Sequence, residues 1–195
     1  DLQEKIKIVH GYADFGWKVV LVNWITDNGD CSCHKGRECN SPGKHPLGKW
    51  KEDATSDKDR LTSLLTRTPL ANIAIATGER SGVYVLDIDC KNKAKGYESL
   101  RNLEEKYGPL QLTLMATTGS GGTHYFFMMP NFDLGNRTNL FEGIDVRANN
   151  GIAVVYPSNH VSGQNYKWTT KLDTPMVEPP EWLIRLHLEH KNKSN

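Results

Sequence analysis

Nothing in the 195 residues approaches the run of about 20 apolar side chains that a membrane-spanning helix needs. No basic start leading into a short apolar core marks a signal peptide, so a cytoplasmic protein without a membrane partner is expected. An excess of one charge is also missing: 24 Lys and Arg face 23 Asp and Glu, a formal net charge of +1. A chain so balanced has no overall basic field with which to grip a duplex. Cysteine is scarce, four in all, and Cys31, Cys33 and Cys39 fall within nine residues. That spacing is poor for a disulfide framework and suits metal in a reducing compartment. No internal repeat and no linker interrupt the chain, which reads as one domain over residues 1–195 with an insertion at about 26–50. No Gly-Lys-Ser/Thr follows a glycine-rich stretch ahead of a helix, which excludes a Walker A phosphate loop.

What is present centres on Gly82-Val83-Tyr84-Val85-Leu86-Asp87-Ile88-Asp89-Cys90. An apolar run leads into Asp87, and one apolar residue separates it from Asp89. Residues two apart on a strand share a face, so both acids are expected side by side at the end of a buried strand. Adjacent carboxylates repel unless a cation is shared. Carboxylate oxygen suits Mg²⁺ or Mn²⁺. The competing reading is a strand end turning into solvent with both acids hydrated. Lys91, Lys93 and Lys95 follow, and read as a solvated loop.

Along the chain, periodicity predicts a helix over 2–15 closed by Gly16, then a strand over 17–22. A helix over 57–66 takes Ser56 as N-cap. Strands over 72–77 and 83–89 are expected to pair as a hairpin across a Gly-containing turn. A helix over 96–107 ends at Gly108-Pro109. Strands are read at 112–117, 125–129, 141–147, 152–156 and 166–169. Pro179-Pro180 opens a last helix to about 190, and 191–195 reads as a frayed tail.

The insertion carries Asp30-Cys31-Ser32-Cys33-His34 and, further on, Cys39 and Gly43-Lys44-His45-Pro46. Thiolates and imidazole select zinc, and a structural site wants four ligands. Cys31, Cys33, Cys39 and His45 make four. His34 competes but abuts Cys33. The alternative is free thiols in a loop. A loop this long needs something to order it, and zinc would do so. Lys35, Arg37, Lys44, Lys49 and Lys51 give it a basic surface expected to grip nucleic-acid phosphates.

A second glycine-rich stretch, Thr118-Gly119-Ser120-Gly121-Gly122-Thr123-His124, opens the strand that follows. Its glycines allow close backbone approach, and its amides suit an anion. His124 at its end is a candidate phosphate contact. Asp145 and Arg147 share a face of a later strand. Three acids holding two divalent ions, with phosphate donors nearby, are the parts of nucleotidyl transfer.

At these residues the sequence resembles the bifunctional primase-polymerase domain of the archaeo-eukaryotic primase superfamily. The first motif of that superfamily, acid-x-acid after an apolar strand, is matched by Val85-Leu86-Asp87-Ile88-Asp89. The second, small-x-His, is matched by Gly122-Thr123-His124, and the third, an apolar residue before an acid, by Ile144-Asp145. Gly43-Lys44-His45-Pro46, Trp50 with Ala54-Thr55, and Asn72 through Gly78 are also similar to such domains.

The resemblance implies that Asp87, Asp89 and Asp145 bind two Mg²⁺ or Mn²⁺ ions and that His124 contacts the phosphates of an incoming nucleotide. Ser120, Gly121 and Gly122 join His124 as nucleotide-binding candidates, and Arg147 is added from its shared face with Asp145. The implied fold is α+β: an RRM-like antiparallel sheet as catalytic core, packed with an N-terminal α/β unit carrying the zinc loop. Implied partners are a single-stranded DNA template and primer, nucleoside triphosphates, and a helicase domain or subunit. Two other readings stay open. A metal-dependent nuclease would use the same acids and histidine, and a non-catalytic single-strand-binding module would expose stacking aromatics on its sheet.

Overall fold

The structure, a computed structural model, describes residues 1–90 and 95–193, with side chains to residue 190. The expected solvated loop at Lys91 and Lys93 lies outside them, as does the end of the expected tail. Among the described residues no helix is long and apolar enough to cross a membrane. The chain forms two compact units: residues 1–76 with 152–167, and residues 77–151 with 168–195. It is a mixed α+β protein with antiparallel sheets.

The first unit opens with α1 (Leu2–Asp14), whose N-terminus is capped by the Asp1 carboxylate accepting from the Gln3 amide at 2.9 Å. Ile6, Val9 and Tyr12 form its buried stripe, the spacing that the sequence shows. Gly16 at φ 77° turns the chain toward β1 (Val19–Val22). A single turn, α2 (Trp50–Asp53), follows the long insertion, and α3 (Lys58–Arg67) packs on α1 with Leu61 and Leu65 buried. The cap of α3 is Asp57, not Ser56: its carboxylate accepts from the Arg60 amide at 2.8 Å. Ser56 instead accepts from the Lys18 ammonium at 2.8 Å, which draws its hydroxyl away from the helix.

The sheet of this unit runs β1-β2-β8, with β2 (Asn72–Ala76) central and β8 (Ile152–Val155) on its far edge. Buried Asn72 ties the insertion to the sheet. Its amide donates to the Gly43 and Asn159 carbonyls, both at 2.9 Å.

The second unit is a six-stranded sheet in the order β6-β7-β3-β5-β4-β9. These are β3 (Val83–Ile88), β4 (Leu114–Thr117), β5 (Thr123–Met128), β6 (Arg137–Phe141), β7 (Ile144–Arg147) and β9 (Lys167–Trp168). With α4 (Gly96–Tyr107) between β3 and β4, the order β7-β3-β5-β4 is the split βαβ arrangement of an RRM-like sheet. Where such a sheet carries a second crossover helix, this one has β6. One face is the core: Tyr84, Leu86 and Ile88 of β3 and Phe127 of β5 pack with Leu100 of α4 and Leu183 of α5 (Glu181–Lys193). The opposite face of β3 presents Val83, Val85 and Asp87.

Two expectations are corrected here. The strands at 72–77 and 83–89 do not form a hairpin: β2 pairs with β1 and β8, whereas β3 pairs with β5 and β7. Each is central in its own sheet, with side chains buried on both faces, and a continuous apolar run does not show which strand it pairs with. The stretch 141–147 is not one strand either. It breaks at Glu142-Gly143, where Gly143 at φ 72° reverses the chain between β6 and β7. The Gly143 backbone lies so close to Gly96 that an added Cβ would stand 2.5 Å from the Gly96 nitrogen.

Candidate active site

Register aligns the site. Asp87 of β3 lies directly opposite His124 of β5 on one side and Asp145 of β7 on the other. The three side chains thus form a row across three adjacent strands, on the face away from the helices. The two-residue period adds Arg147 beside Asp145. One guanidinium nitrogen of Arg147, Nη2, lies 2.8 Å from Asp145 Oδ2 and 3.6 Å from Asp87 Oδ2. His124 Nε2 lies 3.4 Å from Asp87 Oδ1. The remaining Asp145 oxygen accepts from the Asn139 amide at 2.8 Å. Asn139 reaches that position at φ 50°, a left-handed conformation that asparagine tolerates. His124 is buried, with its ring edge-on to Phe126 at 6.0 Å. The Asp87 and Asp145 side chains are 21% and 23% exposed, a floor that solvent and a ligand can reach.

Asp89 sits one residue past the end of β3. Its amide donates to the Gly143 carbonyl at 2.8 Å, and its carbonyl accepts from the Gly96 amide at 3.2 Å. The structure therefore brings Asp87, Asp145, His124 and Arg147 together by strand pairing, and fixes the Asp89 backbone separately through the β6–β7 turn and the start of α4.

The glycine-rich loop closes on itself. Thr118 and Gly122 pair through the Thr118 amide and Gly122 carbonyl at 2.9 Å, and the Thr118 hydroxyl accepts from the Gly122 amide at 3.0 Å. Gly121 donates to the Thr118 carbonyl at 2.9 Å. Its φ of 87° requires glycine, and a Cβ on Gly122 would meet the Ile88 carbonyl oxygen at 2.2 Å. Both glycines thus shape the loop, and their amides are engaged inside it. Two side chains brace it from outside: Cys90 Sγ donates to the Ser120 carbonyl at 3.1 Å, and the Tyr97 hydroxyl donates to the Gly121 carbonyl at 3.1 Å. Tyr97 also bonds Thr123 Oγ1 at 2.7 Å.

A separate centre lies in the first unit. One donor atom from each of Cys31, Cys33, Cys39 and His45 lies within 4.8 Å of the others. Zn–S bonds of about 2.3 Å place sulfurs of a tetrahedral site roughly 3.8 Å apart, so this group can close on zinc with small movements. Asn23 stands 3.1 Å from His45 Nδ1, which leaves Nε2 aimed at Cys31 Sγ at 3.5 Å. Second contacts of this kind fix the ring of a ligating histidine. A 3₁₀ turn at Gly36–Glu38 carries the chain from Cys33 to Cys39, and the Gly43 amide donates to Cys31 Sγ at 3.4 Å. His34 is exposed and outside the group. Burial pushes the Cys33 thiol up, but the Lys35 backbone and hydrogen bonds with Cys31, His45 and Cys39 outweigh it and bring its pKa down to about 6. Burial pushes the Cys39 thiol up as well, and there the neighbouring Cys31 and Cys33 add to it. The basic surface of the insertion is partly paired, Arg37 with Asp30 at 3.0 Å and Lys49 with Glu52 at 3.9 Å.

The sequence profile of the N-terminal domain of bifunctional DNA primase/polymerases, Prim-Pol, matches residues 10–182. The chain belongs to the Prim-Pol family. No curated protein matches it in sequence. The Prim-Pol match runs through both the row of acids and the thiol cluster, and it makes the chain a primase/polymerase-type nucleotidyl transferase that binds DNA and nucleotides.

The donor set of the row would suit a hard cation. Asp87 and Asp145 offer carboxylate oxygens across one strand gap, and those oxygens already share a positive group in Arg147. Sequence reasoning missed Asn139, Cys90 and Tyr97. An asparagine just ahead of the third motif was the only available hint of the first. Nothing local marks the other two, whose partners lie 30 and 24 residues away.

Proposed function

We propose that this Prim-Pol chain, acting over residues 1–195 as one catalytic domain, synthesises or extends primers on single-stranded DNA by template-directed nucleotidyl transfer. The observation that carries this reading is the row Asp145–Asp87–His124 across three paired strands, with Arg147 against both acids. Asp87, Asp89 and Asp145 would hold two Mg²⁺ or Mn²⁺ ions. Such ions lower the pKa of a primer 3′ hydroxyl and neutralise the leaving pyrophosphate. His124, which lies against Asp87 and is buried against Phe126, would contact a phosphate of the incoming nucleotide. Arg147 supplies a planar cation for the same triphosphate. The braced loop at Ser120, Gly121 and Gly122 forms a wall of rigid backbone beside His124. Zinc held by Cys31, Cys33, Cys39 and His45 orders the insertion, whose basic residues contact nucleic-acid phosphates. A helicase domain or subunit would supply unwound template.

The test is incubation with primed and unprimed single-stranded templates, deoxy- or ribonucleotides, and Mg²⁺ or Mn²⁺, with products sized on a gel. Wild-type protein is expected to lengthen or create primers, and Asp87→Asn and Asp89→Asn to abolish this while keeping their far-ultraviolet circular dichroism. Shortened DNA in reactions without triphosphates would instead indicate a nuclease.

A further inference from the structure

Arg147 occupies an awkward position for a simple phosphate donor. Asp87 and Asp145 face each other directly across β3 and β7. Like charges so placed oppose the pairing of the strands that carry them. Arg147 relieves this with a single nitrogen, 2.8 Å from one carboxylate and 3.6 Å from the other, and both contacts fall on Oδ2. The outer oxygens are turned elsewhere, Asp145 Oδ1 to the Asn139 amide and Asp87 Oδ1 to His124. The guanidinium therefore sits against the two acids that would hold a divalent ion. Arginine does not lose its proton in proteins, so it cannot yield that place by titrating. A guanidinium and a divalent cation repel at such separations in a partly buried site. The two therefore compete for the same acids.

We propose that Arg147 is a counter-ion holding Asp87 and Asp145 in position until a divalent cation binds, and that it then turns from the acids to the incoming triphosphate. The proposal rests on the reading of these acids as metal ligands. Arg147 is 27% exposed, and its guanidinium carries five donors on a long side chain, which suits a group that changes partner by rotation. The nucleotide thereby gains a donor that the acids lose. Metal and triphosphate each favour the released arginine, so each tightens the binding of the other, and by the same factor. Arg147 is a positioning residue in the metal-free protein and a ligand contact in the loaded one.

The test uses zinc-loaded protein in buffer stripped of other divalent ions, with Mn²⁺ binding followed by electron paramagnetic resonance and melting followed by calorimetry. Wild type, Arg147→Gln, Arg147→Lys and Asp87→Asn are compared, with and without a non-hydrolysable nucleoside triphosphate. Without nucleotide, Arg147→Gln is expected to bind Mn²⁺ roughly tenfold more tightly than wild type, within the usual range of coupling between sites. It should melt lower than wild type when metal-free and gain more from Mn²⁺. Nucleotide should tighten Mn²⁺ binding strongly in wild type and weakly in Arg147→Gln. Arg147→Lys, which keeps charge without the planar fork, should stay close to wild type in metal-free melting, which separates loss of charge from loss of fold. Equal or weaker Mn²⁺ binding by folded Arg147→Gln, with Asp87→Asn abolishing it, overturns the counter-ion role and leaves the acids as ligands. Mn²⁺ binding unchanged in Asp87→Asn, or absent from every variant, overturns the metal reading and this proposal with it.

Discussion

At the scale of residues, the site divides into side chains that strand periodicity places and side chains that only the folded chain places. Asp87, His124, Asp145 and Arg147 belong to the first group. Tyr97 belongs to the second, and its contribution can be isolated because it bonds the glycine-rich loop through one hydroxyl. Tyr97→Phe removes that hydroxyl and leaves the ring. A lost neutral hydrogen bond is worth about 1 kcal/mol, so the KM for nucleotide is expected to rise about fivefold with kcat nearly unchanged. Steady-state primer extension checks this. An equal fall in kcat would mean that Tyr97 acts on the chemistry and not on the shape of the loop. Period two made the shared face of Asp145 and Arg147 legible, but the row across β5, β3 and β7 is set by strand register, and in the sequence its members were grouped by the resemblance. Cys90 and Asn139 were not legible, since their roles depend on a loop and a turn returning to them in space.

At the scale of elements, the sequence showed where most strands and helices lie but not always what they join. An apolar run such as 83–88 announces a buried strand and says nothing about which strands flank it. The proximity of 72–77 suggested a hairpin, whereas each strand takes a central place in its own sheet with its side chains buried. The turn at Gly143 was hidden inside an alternating pattern that continues on both sides of it. Helix ends are finer still: Ser56 and Asp57 are both good caps by type, and Lys18, just ahead of β1, engages the serine. Asp57→Ala is therefore expected to lower unfolding stability by about 1 kcal/mol, the usual worth of an N-cap. Ser56→Ala should cost less, as its Lys18 contact is partly exposed and contributes little. Urea unfolding of the two variants checks the order, and a larger loss in Ser56→Ala would refute it.

At the scale of the whole molecule, the insertion over 26–50 has few apolar side chains to bury, and its order depends on the thiol cluster and on Asn72. Zinc binding in small thiolate modules contributes on the order of 10 kcal/mol. Protein purified without chelator is expected to hold one zinc per chain by elemental analysis. Stripping it should lower the melting temperature by roughly 20 °C or more, with recovery on adding Zn²⁺, and Cys39→Ser should show the same loss without recovery. Absence of zinc from chelator-free protein would sink the assignment. The composition of the chain shows no boundary between the two units: the backbone passes from one to the other at residues 76–77, 151–152 and 167–168, at the ends of strands or within them.

This threading sets an order of assembly during synthesis. The strand β2 is complete once residue 76 has left the ribosome, but its second edge has to wait for β8, which ends at Val155. All of β3 to β7 emerges in that interval. Unpaired edges of apolar strands invite pairing with other chains. A nascent chain or a fragment that stops anywhere between residues 77 and 151 exposes Ile73, Ala74 and Ile75 along such an edge, and is the species in which misassembly would begin.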